Sequence, residues 1–201
     1  TQRSFLAYLL LFLCYQATIL LLLGSIPYLV EFIIPGGDVN DEYETLIMLG
    51  YIVAGLISVP IWSKIALKKG NKNVYVVTGF ATSLLSLPFF FINSLELSIL
   101  FGAFLGVGLI GFWLMSNPIL ADVIDEAVAK NEIRQEGLYM GVRVFFARIA
   151  LIIQALTFAV IHILTNFDPE AAFPIDPLPK LGLKIQMAIA PMILMLIGII
   201  V

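Results

Sequence analysis

The sequence predicts an all-α membrane protein with six transmembrane helices, and three observations carry that reading. Of the 201 residues, 61% are hydrophobic and 12% charged, with a mean hydropathy of +1.03; soluble domains run nearer 45–50% and ~25%. The charges gather into short loops and leave six long uncharged runs. Those runs have the length of helices that cross a hydrocarbon core of roughly 30 Å, about 20 residues each. Barrel strands would instead show alternating segments of about 10 residues, and no such pattern is present.

The elements follow in order. Ser4–Val30 is an uncharged run of 27 residues and places the first helix over about 4–33. Thr45–Ser63 gives the second, over about 45–67. Asn73–Leu95 gives the third, over about 74–93, and Leu97–Ala121 the fourth, over 97–121. The fifth run, Ile149–Phe167, holds 19 residues. Its helix is expected to begin earlier, near Gly137, and to cover about 137–166, so it takes Arg143 and Arg148 into the span. Ile185–Val201 gives the sixth, over about 183–201. Pro27, Pro60, Pro88, Pro118 and Pro191 fall inside or at the ends of spans, where neighbouring helices make them tolerable and kinks possible. Gly102, Gly106, Gly108 and Gly111 in the fourth helix, and Gly137 and Gly141 in the fifth, are spaced to let helix backbones approach.

Lys and Arg in short loops set the orientation. The loop after the first helix carries Asp38, Asp41, Glu42 and Glu44 and no base. The next carries Lys64, Lys68, Lys69 and Lys72 and no acid. The connection from Asp122 to Glu136 carries Lys130 and Arg134. The second and fourth loops are therefore expected in the cytoplasm, together with both termini of the segment, in a cell (plasma or inner) membrane.

Composition and motifs exclude several classes. Lys+Arg is 11 against 14 Asp+Glu, a net charge of −3, which does not suit a nucleic-acid partner. Cys14 and His162 are each the single residue of their type, so no disulfide framework is possible. A histidine-based metal site or a catalytic triad would rest on His162 alone. There is no Gly-x-Ser-x-Gly elbow, phosphate loop or His-Glu-x-x-His motif. No enzyme activity, metal or resident cofactor is expected.

The informative residues are charges inside spans. Arg148 lies about 11 residues into the fifth helix, near mid-membrane at 1.5 Å per residue. Placing it there costs roughly 2.5–3.5 kcal/mol on insertion scales. It reads as a cavity-facing cation that holds a polar substrate or an acidic partner. The alternative is an arginine paired with a carbonyl or carboxylate for packing. Arg143 lies nearer the cytoplasm, where snorkelling is easier. Asp122, Asp125 and Glu126 close the fourth helix, and Glu132, Arg134 and Glu136 lead into the fifth. They form either a solvated interfacial loop or a latch, for which Glu136 and Arg143 share a helix face.

The run Asn117–Asp125 (NPILADVID), then Arg134–Tyr139 (RQEGLY), then Arg148 resembles the glycoside–pentoside–hexuronide:cation symporters, the melibiose-permease-like branch of the major facilitator superfamily. The spacing fits that family's C-terminal half without a gap from Trp113 through Arg148. The basic loop from Pro60 to Lys72 is similar to the facilitator loop between helices 8 and 9. The resemblance implies that the six spans are helices 7 to 12, arranged as two inverted three-helix repeats, with an N-terminal six-helix half as partner. Thr1 opening almost directly into a span, and the last run stopping at Val201, agree with a half or fragment of a larger transporter.

The implied activity is secondary transport of a sugar, glycoside or hexuronide by alternating access, coupled to a cation. The position of Trp113 lies beside the sugar in the relatives. Arg148 stands where they usually hold a lysine in the same cavity, and Arg143 where they hold a polar residue. Two cavity arginines would suit an anionic substrate, since the guanidinium fork matches carboxylate or phosphate. Asp122, Asp125, Arg134 and Glu136 match the family's cytoplasmic gate network, with Val128 replacing one of its acids. The coupling cation, Na⁺ or H⁺, is expected mainly in the N-terminal half. A lysophospholipid-carrying relative is the near alternative; a non-transporting membrane scaffold is the alternative of another class.

Overall fold

The structure, a computed structural model, describes residues 2–36, 42–131, 135–170 and 174–200. Its described residues form helices and turns without strands: α1 (Gln2–Phe32), α2 (Glu42–Lys69), α3 (Asn71–Ser86), α4 (Leu95–Asn131), α5 (Glu136–Thr165), α6 (Pro177–Lys184) and α7 (Ala190–Ile200). A 3₁₀ turn, Leu87–Phe90, extends α3, and a π turn, Ile185–Ile189, joins α6 to α7. Six helices long and apolar enough to cross a membrane result, the third being Asn71–Phe90 and the sixth Pro177–Ile200.

Local chemistry sets the ends. Glu42 and Glu44 lie in the first turn of α2 and Lys68 and Lys69 in its last; both pairs complement the helix dipole. Gly70 then takes φ 84°, an angle that favours glycine, and turns the chain into α3 within one residue. Asn166 stops α5 in the left-handed region, with its backbone N–H bonded back to the last turn, as αL caps do. Pro177 opens α6 at a position where its missing N–H costs nothing.

Two ends depart from expectation. The fourth helix does not stop at Ala121; α4 continues to Asn131, so Asp122, Asp125 and Glu126 ride on helix. Its 37 residues span roughly 55 Å at 1.5 Å per residue, well beyond the hydrocarbon core. The sixth span begins at Pro177 rather than near 183. In both cases hydropathy marks the edge of the membrane, whereas the backbone ladder continues into water.

The packing follows a repeat of three. α2 lies on α4 and α5 lies on α1; α3 lies on α4 and α7 lies on α1; α3 and α7 pack on each other. The first three spans and the last three are therefore related by an approximate two-fold. An odd number of helices per repeat makes the second run upside down relative to the first. α1, α3 and α4 supply most of the buried surface, whereas α2 and α5, the middle helix of each repeat, stay largely open.

Apolar side chains gain little by leaving lipid, so the contacts rest on close packing and hydrogen bonds. A Cβ added at Gly106 would collide with the Tyr51 carbonyl, and one at Gly111 would lie 2.6 Å from Nε1 of Trp62. These two glycines let α4 approach α2. Gly137 and Gly141 have open space around them and serve no such approach. At the centre, Phe112 is stacked between Tyr15 (4.0 Å) and Tyr75 (3.9 Å), tying α4 to α1 and α3. Tyr15 donates to the Leu109 carbonyl at 2.9 Å and Trp62 to that of Val107 at 2.9 Å. Each polar tip thus finds a backbone partner inside the bundle.

Candidate functional site

α4 and α5 make little direct contact. Arg143 reaches across the gap between them. It is 9% exposed; its Nη1 donates to Asn117 Oδ1 at 2.7 Å and its Nη2 to Ser116 Oγ at 3.1 Å. The guanidinium carbon lies 4.6 Å from the centroid of the Phe12 ring, within cation–π range. Ser116 Oγ is also 3.2 Å from the Tyr8 hydroxyl. The Tyr75 hydroxyl is buried on the same side, close to Ser116 and Arg143, and has no hydrogen-bond partner among the described residues.

The balance of this arrangement is specific. Hydrogen bonds to a charged group contribute about 1.5–3 kcal/mol, and a desolvated cation–π contact about 2 kcal/mol. Together they exceed the roughly 2.5–3.5 kcal/mol that an arginine costs within a span. The partners solvate the charge without cancelling it. Arg143 has no carboxylate partner among the described residues, so its positive charge is held but not neutralised.

Trp113, Asn117, Ala121 and Asp125 are spaced by four along α4 and are all exposed; they form one stripe. Trp113, 48% exposed, stands one turn from Asn117. Asn117 is the link between Trp113 and Arg143: it shares the α4 stripe with the first and accepts a hydrogen bond from the second.

Arg148 does not join them. Five residues on a helix turn the side chain by roughly 140°, and Arg148 is exposed on the open side of α5 among Val144, Phe145, Leu151 and Ile152. It forms no ion pair or hydrogen bond among the described residues. The two arginines thus lie on different faces of α5, Arg143 buried and Arg148 exposed. Depth along the helix suits Arg148, but its direction around the helix is that of the open face, and Arg143 is the arginine held inside.

Of the gate residues, Asp122 and Asp125 are exposed on the last turns of α4, and Glu136 is exposed at the start of α5. Arg134 lies outside the described residues. The hydrogen bonds of Arg143 run to α4, away from the Glu136 end of its own helix.

Ser116, Tyr8 and Phe12 escape a reading by charge and motif, and Asn117 enters it only as the first residue of the NPILADVID run, without a role. Each is uncharged, and only the fold gathers them around Arg143. One signal is present: Ser116 and Asn117 are adjacent hydrogen-bonding side chains inside a long apolar helix, where a polar pair needs a partner.

The profile of the family described as MFS/sugar transport protein matches residues 1–201. The chain belongs to the MFS/sugar transport protein family. No curated protein matches it. As a member, it is an integral membrane protein of a transporter family. Its six helices, packed as two inverted repeats of three, fit one half of the facilitator fold.

Proposed function

We propose that the chain is the C-terminal half of a cation-coupled symporter of the melibiose-permease-like branch, carrying a hexuronide or another acidic glycoside by alternating access. The observation that carries this reading is Arg143, a buried guanidinium held by Asn117, Ser116 and Phe12 with no carboxylate partner among the described residues. Such a group is ready to receive an anion. Trp113 offers a ring one turn away for a sugar face, and Asn117 offers its amide N–H groups at the open edge.

In this reading both termini of the segment lie in the cytoplasm of a cell membrane, on the side of Lys64, Lys68, Lys69 and Lys72. Asp122, Asp125, Arg134 and Glu136 act at the inward gate. The coupling cation, Na⁺ or H⁺, binds mainly to an N-terminal six-helix half, against which the open faces of α2 and α5 would rock. A scaffold without transport would keep Arg148 buried against a carboxylate, and its exposure speaks against that alternative.

A second reading rests on Arg148 itself. A lone cation on an apolar, open helix face suits the acidic head of a lysophospholipid or similar amphiphile entering from the side. Counterflow in proteoliposomes of the full-length carrier separates the two. Labelled hexuronides, neutral glycosides and lysolipids are compared with and without a Na⁺ gradient. Exchange of hexuronide that is lost in Arg143→Gln supports the first reading. Lysolipid exchange that depends on Arg148 supports the second. Neutral glycoside exchange unchanged in both variants refutes both.

A further inference from the structure

A second polar cluster lies away from Arg143, near the ends of α1 and α5 where the sixth span begins. The π turn at Ile185–Ile189 carries Gln186, which is fully buried. Its Nε2 donates to Ser25 Oγ at 3.1 Å, and Ser25 in turn donates to the Leu21 carbonyl at 2.6 Å. The other end of the amide, Oε1, is buried without a hydrogen bond. His162 on α5 lies next to Gln186, and its Nε2 is likewise buried without a well-formed hydrogen bond. The rest of the ring is held by aromatic neighbours: Phe167 (4.6 Å), Tyr28 (5.2 Å) and Phe158 (5.9 Å).

Two buried polar atoms without a hydrogen bond on neighbouring side chains call for an explanation, since buried polar groups are paired in the great majority of cases. An acceptor, Oε1, confronts a ring nitrogen that accepts or donates according to its proton. π turns in helices are frequent at functional sites, and Gln186 sits fully buried within this one. His162 lies one turn from the end of α5 and its residue is only partly buried, so a proton can reach the ring from that end while Nε2 faces in.

We propose that His162 is a proton-binding site of this half of the carrier. A proton taken up by the neutral imidazole gives an imidazolium with N–H on both nitrogens. Nε2–H then donates to Gln186 Oε1, and the chain His162–Gln186–Ser25–Leu21 carbonyl is continuous from α5 through the π turn to α1. Charge-assisted hydrogen bonds are roughly twice as strong as neutral ones, so protonation draws α5 onto the sixth span and α1. No bond is broken and no co-reactant is needed. The titratable group against the ring is Tyr28 of α1. Glu31 of α1, Asp168 after α5, and Asp176, Lys180 and Lys184 at the start of the sixth span are the other ionisable groups at this end. None of these forms a hydrogen bond or ion pair with His162 among the described residues. The site is independent of the substrate reading above, and its test uses only protons.

The full-length protein, carrying an affinity tag without histidine, is labelled with ¹⁵N-imidazole histidine in nanodiscs. The His162 signals are assigned by their absence in His162→Gln. Between pH 8 and pH 5 the two ring nitrogens are expected to convert to the imidazolium pattern, with the Nε2 proton showing the downfield shift of a hydrogen bond. Gln186→Leu should remove that downfield shift while leaving the ring in place. If either variant fails to fold, the wild-type titration alone decides. A His162 ring that does not titrate between pH 5 and 8 would overturn the proposal. So would an Nε2 signal indifferent to Gln186→Leu.

Discussion

Arg143 on α5 donates to Asn117 on α4 at 2.7 Å, across a gap that the two helices' backbones leave nearly unfilled. The contact is made by two side chains that no local pattern relates, 26 positions apart in the chain. Three consequences are testable at or beside this bond, and a fourth tests the packing that holds α4 in place.

Asn117→Leu keeps the size of the side chain and removes its acceptor. A hydrogen bond to a charged donor is lost, and Arg143 keeps only Ser116 and the Phe12 ring. The expected loss of stability is about 1.5–3 kcal/mol, read as a lower unfolding midpoint of the detergent-purified carrier. Recovery of the wild-type midpoint in Asn117→Asp, which restores an acceptor, would show that the bond and not the shape is responsible.

Arg143→Lys keeps the charge and loses the planar fork. One ammonium on a flexible stem cannot meet Asn117 Oδ1, Ser116 Oγ and the Phe12 ring with the same geometry. Binding of a hexuronide should weaken about tenfold or more, equivalent to ~1.4 kcal/mol, with neutral glycosides affected much less. Equal loss for both classes of ligand in isothermal titration would count against a carboxylate at Arg143.

Arg148→Gln should leave the unfolding midpoint almost unchanged. The side chain is exposed and has no partner among the described residues, and substitutions at such positions usually stay within about 0.5 kcal/mol. A large destabilisation would mean that Arg148 is engaged by a part of the protein beyond the described residues. Wild-type exchange rates of every ligand in the same variant would leave it without a part in transport.

Gly106→Ala places a Cβ against the Tyr51 carbonyl, and Gly111→Ala places one against Trp62. Backbone and a bonded indole give way poorly, so each should cost about 1–3 kcal/mol, the usual range for overpacking. Gly141→Ala meets nothing within 4 Å and should be neutral or stabilising by up to about 1 kcal/mol, since alanine is the better helix former. Thermal unfolding of the three variants side by side checks the ordering.

Much of this architecture was legible before any coordinates. Six spans are marked by where Asp, Glu, Lys and Arg do not occur, because a charge in hydrocarbon is costly enough to be rare. The far end of α4 was not legible in this way. Asp122, Asp125 and Glu126 signal the membrane's edge, and nothing in hydropathy distinguishes a helix that stops there from one that runs on into water. The choice between Arg143 and Arg148 was hidden for a related reason. α5 is apolar on all sides, so its sequence carries depth but little information about direction. The packing of Ala150, the bond from Gln154 to the Leu20 carbonyl and the reach of Arg143 to Ser116 decide which side faces inward. The π turn was equally silent, since Ile185–Ile189 reads as ordinary apolar helix and Gln186 as a single polar residue near a span's end.

The α4–α5 gap has a kinetic side. α2 is locked to α4 by glycines pressed on backbone, so separating that pair means moving whole helices, a process of microseconds to milliseconds. The gap between α4 and α5 is spanned instead by one arginine's fork. Side chains change rotamer far faster than helices move. Breaking the Arg143–Asn117 contact therefore asks only for the rotation of one side chain, whereas parting α2 from α4 asks for a whole helix to move.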